Sequence, residues 1–355
     1  MANNFRNILL CFIILQKMSE AAYYNSCANY YQGDYKKLSQ LIRRHTSWQE
    51  AYQANASIFG DPEKLLEELR SQEISLCLFD DADFPVLLRE IPFPPQALYY
   101  RGSLNFQEKV CVAMVGTRRA SAPSLEIATQ IAAELAKNDI CIVSGLAYGI
   151  DKASHQGALQ RNALTVAVLA NGLAAVYPRR HARLAQEILE FGGALISEYP
   201  PNFSARQYSF LERNRVVSGL ARAVVVIEAP KHSGTLSTAR YATEQNRDLF
   251  VVPGSATNPN FAGSFELIRS GAELVTSSTH ILQGLGIEIE PTQKDDMLTK
   301  EQILILAALN NRGLALHPDE LLLATGLDNS TLFTELSVLV VAGYIKEDAG
   351  YYFPI

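Results

Sequence analysis

Between Val110 and Thr276, short apolar runs alternate with helical patterns, and this alternation leaves few folds open. The runs fall at residues 110–115, 140–143, 164–169, 194–196, 223–227, 249–252 and 273–275. Apolar runs without polar alternation belong to strands covered on both faces. Strands that alternate with helices build a parallel sheet with helices on both sides. In open sheets of this kind a ligand sits beyond the C-terminal strand ends. Here those ends carry Gly, Ser, Thr, Asn and Arg rather than paired acids and bases.

The sharpest end is the first. Val110-Cys-Val-Ala-Met-Val115 breaks at Gly116-Thr-Arg-Arg-Ala-Ser121, and a helical pattern follows to Lys137. A strand, a glycine turn and a helix N-terminus together make an anion cradle, because free N–H groups and the positive helix end point the same way. Two arginines in that turn suggest phosphate, and a polyphosphate backbone as readily as a small nucleotide.

Composition narrows the class. The chain has 355 residues, long enough for two or three domains, and is 48% hydrophobic and 19% charged. Cys11, Cys27, Cys77, Cys111 and Cys141 are scattered with no C-x-x-C spacing, as in a reducing cytoplasm without disulfides or a zinc site. The apolar stretch at residues 8–15 is too short to span a bilayer, so a buried helix and no membrane partner are expected. Net charge is −6, but unevenly spread. Residues 110–286 hold 16 basic and 13 acidic side chains (net +3), against −2 before and −7 after them. Thirteen of those 16 are Arg, the residue suited to bidentate phosphate contacts.

The expected organisation is α/β: an extended Rossmann-like core with a parallel sheet at residues 81–286. A helical N-terminal domain (1–80) precedes it, and a linker (287–298) leads to a C-terminal winged-helix domain (299–355). Pro62 after Asp61 predicts a helix start, and Ile91-Pro-Phe-Pro-Pro95 an extended connector. Helix, helix, helix and two short strands around Ala349-Gly350 give the winged-helix pattern.

Further strand ends repeat the chemistry of the first. They are Ser144-Gly-Leu-Ala-Tyr-Gly-Ile-Asp151, Tyr177-Pro-Arg-Arg-His181, Ser197-Glu-Tyr-Pro-Pro201 and Ser233-Gly-Thr235. One such turn is as consistent with turn chemistry as with function. Several on one edge, interleaved with Arg118, Arg179, Arg206, Arg213, Arg215 and Lys231, point to a phosphate-lined rim. Phe210 and Tyr177 can stack a base or cover the core. Asn214 can tie down its loop while one neighbouring Arg pairs with Glu212 or Glu198. His155, four residues after Asp151, reads as a helix-stabilising contact rather than an acid–base pair. No G-x-G-x-x-G follows the first strand, no P-loop or G-x-S-x-G is present, and no histidines stand at metal-ligand spacing. No cofactor, metal or catalytic residue is therefore expected.

In this order the turns resemble the DNA-processing protein A (DprA/Smf) family of bacteria. The matching pieces are Val115-Gly-Thr-Arg-Arg-Ala-Ser121, Ser144–Asp151, Tyr177-Pro178, Ser197–Pro201, Phe210-Leu-Glu-Arg-Asn-Arg215, Ser233-Gly-Thr235 and Val252-Pro-Gly-Ser255, with Asp83–Ile91 upstream. The resemblance implies a non-enzymatic protein that binds and protects single-stranded DNA, dimerises, and loads the RecA recombinase in natural transformation. It implies nucleic-acid contacts from Gly116, Arg118, Ser121, Gly145, Arg179, Arg206, Phe210, Arg213, Asn214, Arg215, Lys231, Ser233, Gly234 and Thr235. Phe210 would stack a base, and Arg118 and Arg179 would hold phosphates. The chain departs from the family pattern at His181, where Asn is common, and at Tyr148, where Arg is common. The winged-helix segment has three basic and seven acidic residues, and none of the basic ones lies on its third helix. It is not expected to bind duplex DNA alone. The competing reading is a Rossmann-like enzyme on small nucleotide phosphates, with Glu228 or Glu198 as acid–base.

Overall fold

The structure is a computed structural model that describes residues 20–288, 298–312, 315–341 and 343–354. The apolar stretch at residues 8–15 and most of the expected linker lie outside the described residues. The chain divides into two compact units, one ending at Glu288 and one beginning at Ile289.

The first unit opens with helices α1 (residues 20–31), α2 (Tyr35–Ile42), α3 (Trp48–Gln53) and α4 (Pro62–Ser71). As expected, α4 starts at Pro62, and the Asp61 carboxylate accepts hydrogen bonds from the Glu63 and Lys64 amides. Next come β1 (Ser75–Leu78), α5 (Val86–Arg89), β2 (Ala97–Gly102), β3 (Cys111–Val115), α6 (Ala122–Lys137), β4 (Cys141–Ser144), α7 (Ile150–Leu159) and β5 (Thr165–Val168). They are followed by α8 (Ala182–Glu190), β6 (Ala194–Ser197), α9 (Gln207–Gly219), β7 (Ala223–Val226), α10 (Thr235–Glu244), β8 (Asp248–Val251), α11 (Ala262–Arg269), β9 (Glu273–Leu274) and α12 (Ser278–Gly284).

All nine strands form one sheet in the order β1-β2-β6-β5-β4-β3-β7-β8-β9. From β6 to β9 the pairing is parallel, as the sequence predicts. Every residue of β3, β4, β5, β6 and β7 is buried, which is why those runs lack polar alternation. The connector expected after residue 80 does more than connect. β2 pairs antiparallel with β6, and β1 pairs antiparallel with β2, so two further strands extend the sheet.

The helices before residue 80 do not stand apart as a separate domain. Tyr24, Leu38, Trp48 and Leu69 share one core with Ala167, Leu169 and Leu195 of the sheet. The opposite face packs Ala113, Val143, Val166 and Val224 with Val216, Val217 and Ala239. The topology matters most at β3. The chain winds outward from β3 through β4, β5 and β6, then returns to β3's other side for β7, β8 and β9. The strand order reverses between β3 and β7, where the flanking loops diverge and leave a crevice.

The second unit contains α13 (Lys300–Arg312), α14 (Pro318–Thr325), α15 (Asn329–Val341) and the antiparallel pair β10 (Ile345–Asp348) and β11 (Tyr351–Pro354). Its core gathers Ile305, Leu309, Leu321, Leu332, Leu336, Leu339 and Ile345. Ala349 and Gly350 both have positive φ, at 50° and 82°, which suits the tight hairpin turn between the strands.

Candidate nucleic-acid interface

A cleft of about 510 Å³ opens at the reversal point. Its walls are the loop after β3 (Gly116, Thr117, Arg118, Arg119), the loop after β4 (Gly145, Ala147), the segment from β7 into α10 (Pro230, His232, Ser233, Gly234, Thr235) and one face of α9. On α9 the lining residues include Gln207, Phe210, Leu211, Asn214 and Val217, the spacing of a single helical stripe.

The loop after β3 is clamped by Glu228, which is fully buried at the end of β7. The Thr117 amide donates to the Glu228 carbonyl at 2.8 Å. The Ser121 amide and hydroxyl donate to Glu228 Oε2 at 3.1 and 2.7 Å, and Asn260 Nδ2 donates to Oε1 at 2.9 Å. Ser121 is thus engaged by an internal carboxylate at the start of α6, the place where the sequence suggested a free anion cradle. What this loop offers a ligand is side chains. Arg118 is exposed, and its guanidinium carbon lies 4.6 Å from the centre of the Phe210 ring. That is cation–π range and leaves the Arg118 N–H groups free to turn outward.

The loop after β4 is also filled from within. Asp151 Oδ2 accepts the Gly145 and Ala147 amides, each at 3.2 Å. Burial pushes the Asp151 carboxyl above its ordinary pKa, while the nearby Arg213 guanidinium pulls the other way. Arg213 is 5% exposed and donates to the Gly145 carbonyl at 2.6 Å and to the Val168 carbonyl. It therefore laces the ends of β4 and β5 together beneath the cleft rather than facing a phosphate. Burial pushes its pKa down to about 10. A Cβ at position 145 would fall 2.3 Å from Arg213 Nη1, so this contact requires glycine.

Arg215 lies elsewhere. It is 3% exposed, donates to Glu198 Oε1 at 2.6 Å and lies 4.7 Å from the Tyr35 ring. Of the two partners open from sequence, Glu198 is the one taken, and Glu212 instead accepts the Tyr199 hydroxyl at 2.8 Å. Asn214 ties α9 to the start of α10, donating to the Gly234 carbonyl at 3.2 Å and to Ser237 Oγ at 2.8 Å. His155 does not turn toward Asp151. Its Nδ1 lies 2.7 Å from Thr165 Oγ1.

The start of α10 is the backbone cradle that remains open. Ser233 Oγ accepts the Thr235 amide at 3.2 Å and donates to Thr235 Oγ1 at 2.9 Å. Gly234 is exposed, has open space where a Cβ would be, and its amide has no acceptor among the described residues. At the rim Tyr177, followed by a cis bond to Pro178, leaves half its surface exposed and sets its ring 5.8 Å from Phe210. Arg179, Arg206 and Lys231 are exposed but do not line the cleft. Arg206 lies 5.6 Å from the Phe203 ring, and Lys231 pairs with Glu266 at 3.8 Å. The structure thus gathers Gly116, Arg118, Gly145, Phe210, Asn214, Ser233, Gly234 and Thr235 at one cleft, with Arg213 as its underside.

Residues 75–286 match the family described as DNA recombination-mediator protein A. The chain belongs to that family. Among relatives of this mediator family, Protein Smf of Escherichia coli is 37% identical over 306 residues, covering 80% of each chain. The DNA processing protein DprA of Streptococcus pneumoniae is 39% identical over 208 residues, covering 59% of this chain and 73% of its own. The solved S. pneumoniae structure matches 68% of this chain and 82% of its own, with a TM-score of 0.60 at 35% identity. DNA processing protein A of Helicobacter pylori matches 60% of this chain and 95% of its own, with a TM-score of 0.54 at 31% identity. That structure is described as revealing a single-stranded DNA binding mode of the H. pylori protein.

The cleft also takes in Thr117, Arg119, Gln207, His232 and Thr238, none of which the sequence marks as a contact on its own, Arg119 entering there only as the second arginine of its turn. Arg119 and Thr117 adjoin Arg118 in the loop, and Gln207 precedes Phe210 by three on the α9 stripe. Helical spacing was the signal available for Gln207. Glu228 carried no local signal, because its partners Ser121 and Asn260 are 107 and 32 residues away.

Proposed function

We propose that the cleft binds the sugar-phosphate backbone of single-stranded DNA, and that the chain acts in the cytoplasm as a recombination mediator. In this reading it protects the incoming strand and loads the RecA recombinase. One observation carries the proposal: Arg118 lies over Phe210 beside the open start of α10 in a single cleft. This combines an exposed cation for phosphate, an aromatic ring for a base and a helix N-terminus for a second phosphate. The relatives with DNA-processing names and the H. pylori single-strand title support the same reading.

The floor of the cleft argues against the nucleotide-enzyme alternative. Asp151, which lines the cleft, and Glu228, buried behind it, are both taken by protein donors, and Glu198 is paired with Arg215 away from the cleft lining. A free acid or base poised over a bound substrate is what general acid–base chemistry needs. The second unit is read as a winged helix whose exposed α15 face carries Phe333, Thr334, Ser337 and Val338 without a cation, which fits a protein contact better than duplex DNA. Homodimerisation would extend the rim and favour cooperative coating of a strand.

Fluorescence anisotropy of labelled oligo-dT over a salt series tests the reading. Wild type should bind with affinity that falls as salt rises, and Arg118→Ala should weaken binding across sequences and reduce the salt slope by about 0.7, the share of one single-strand phosphate contact. An unchanged slope removes Arg118 from phosphate contact. Absence of binding at low salt overturns the function.

A further inference from the structure

Tyr148 of the loop after β4 and His181 of the turn that precedes α8 meet in the fold. Their ring centroids are 4.8 Å apart in an edge-to-face arrangement at 72°. His181 is buried, and its Nδ1 lies 2.8 Å from the Leu146 carbonyl oxygen, so the imidazole is held in place. The Tyr148 ring is braced from behind by that imidazole, yet 41% of the residue remains exposed.

A single exposed aromatic needs no explanation. This one continues a series. Arg118 lies over Phe210, Phe210 touches Tyr177, and Tyr177 begins the turn that ends in His181, against which Tyr148 rests. The series crosses the loops after β5 and β4, on the side of the cleft away from β7. Neither Tyr148 nor Tyr177 lines the cleft itself.

We propose that Tyr148 is a second base-stacking platform. The single strand leaves the cleft at Phe210, passes Tyr177, and lays a further base on the Tyr148 ring. The inference rests on the single-strand reading above and adds the direction in which the strand leaves the cleft. Arg at this position would contact a phosphate, whereas Tyr offers a π-face to the base. The two chemistries differ in salt signature, because each phosphate contact adds about 0.7 to the salt slope for a single strand and stacking adds none.

The test uses the full chain with labelled oligo-dT of about 6 and about 16 nucleotides, lengths spanning common single-strand site sizes. Tyr148→Ala should weaken the longer oligonucleotide roughly tenfold and leave the shorter one unchanged, while Tyr148→Phe keeps wild-type affinity for both. Tyr148→Arg should restore affinity for the longer strand with a steeper salt slope. Unchanged binding of the longer strand by Tyr148→Ala overturns the platform while leaving the cleft reading intact. Equal weakening at both lengths overturns its position outside the cleft. Failure of wild type to bind either length overturns both readings.

Discussion

Glu228 places a buried carboxylate behind the loop that carries Arg118, beside a cleft proposed to hold phosphates, and its two effects oppose each other. Coulomb repulsion would weaken DNA binding, while the carboxylate's hydrogen bonds from Ser121 and Asn260 hold the Arg118 loop in shape. Hydrogen bonds to a charged group contribute about 1.5–3 kcal/mol each, more than a screened repulsion across a wet cleft. Glu228→Gln should therefore lower thermal stability and weaken single-strand affinity. Tighter binding by that variant would show that repulsion dominates. His155 gives a second outcome at this scale. It is fully buried, its Nε2 has no partner among the described residues, and burial holds its pKa down to about 3 against 6.5 unfolded. Because the folded value is depressed, the unfolded chain binds the extra proton. Stability is complete above about pH 6.5 and falls as pH drops toward 3. The slope from this residue approaches about 1.4 kcal/mol per pH unit, so His155→Met should flatten the acid limb of a urea-unfolding series. An acid limb identical to wild type would assign the lability to other groups.

At the scale of elements, α6 and α7 show what their small residues are for. A Cβ on Gly157 would fall 2.2 Å from the Thr129 carbonyl oxygen, so the two helices meet backbone to backbone. Alanine is the better helix former by about 1 kcal/mol, but overpacking of this kind costs about 1–3 kcal/mol. Gly157→Ala should lower Tm, and a rise would show that the helices separate freely. The parallel strands were legible because β3, β4, β5, β6 and β7 are buried on both faces and read as unbroken apolar runs. β1 and β2 were not, because β2 finds its partner β6 about a hundred residues later and neither strand carries a period of its own. Arg213 and Arg215 were read together as cleft residues, yet positions two apart on a helix point to different faces. Arg213 went under the loop after β4, and Arg215 to Glu198.

For the whole molecule, charge and architecture divide the work. The first unit carries the cleft with its exposed arginines, and the acidic second unit presents an α15 face without Lys or Arg. A fragment of residues 290–355 should show no measurable affinity for random duplex DNA at physiological salt in an anisotropy titration. Tight duplex binding would give that unit a DNA role after all. The added strands β1 and β2 bear on how the protein can be dissected. A cut at residue 81, where the sequence alone places the start of the core, removes β1 and the helices that cover Ala97, Tyr99, Leu169 and Leu195. It would leave β2 with an open hydrogen-bonding edge beside a bare apolar face, the combination from which unrelated chains stack into aggregates. The part of this chain that can be handled as a soluble fragment is thus longer at its front end than the part that forms the cleft.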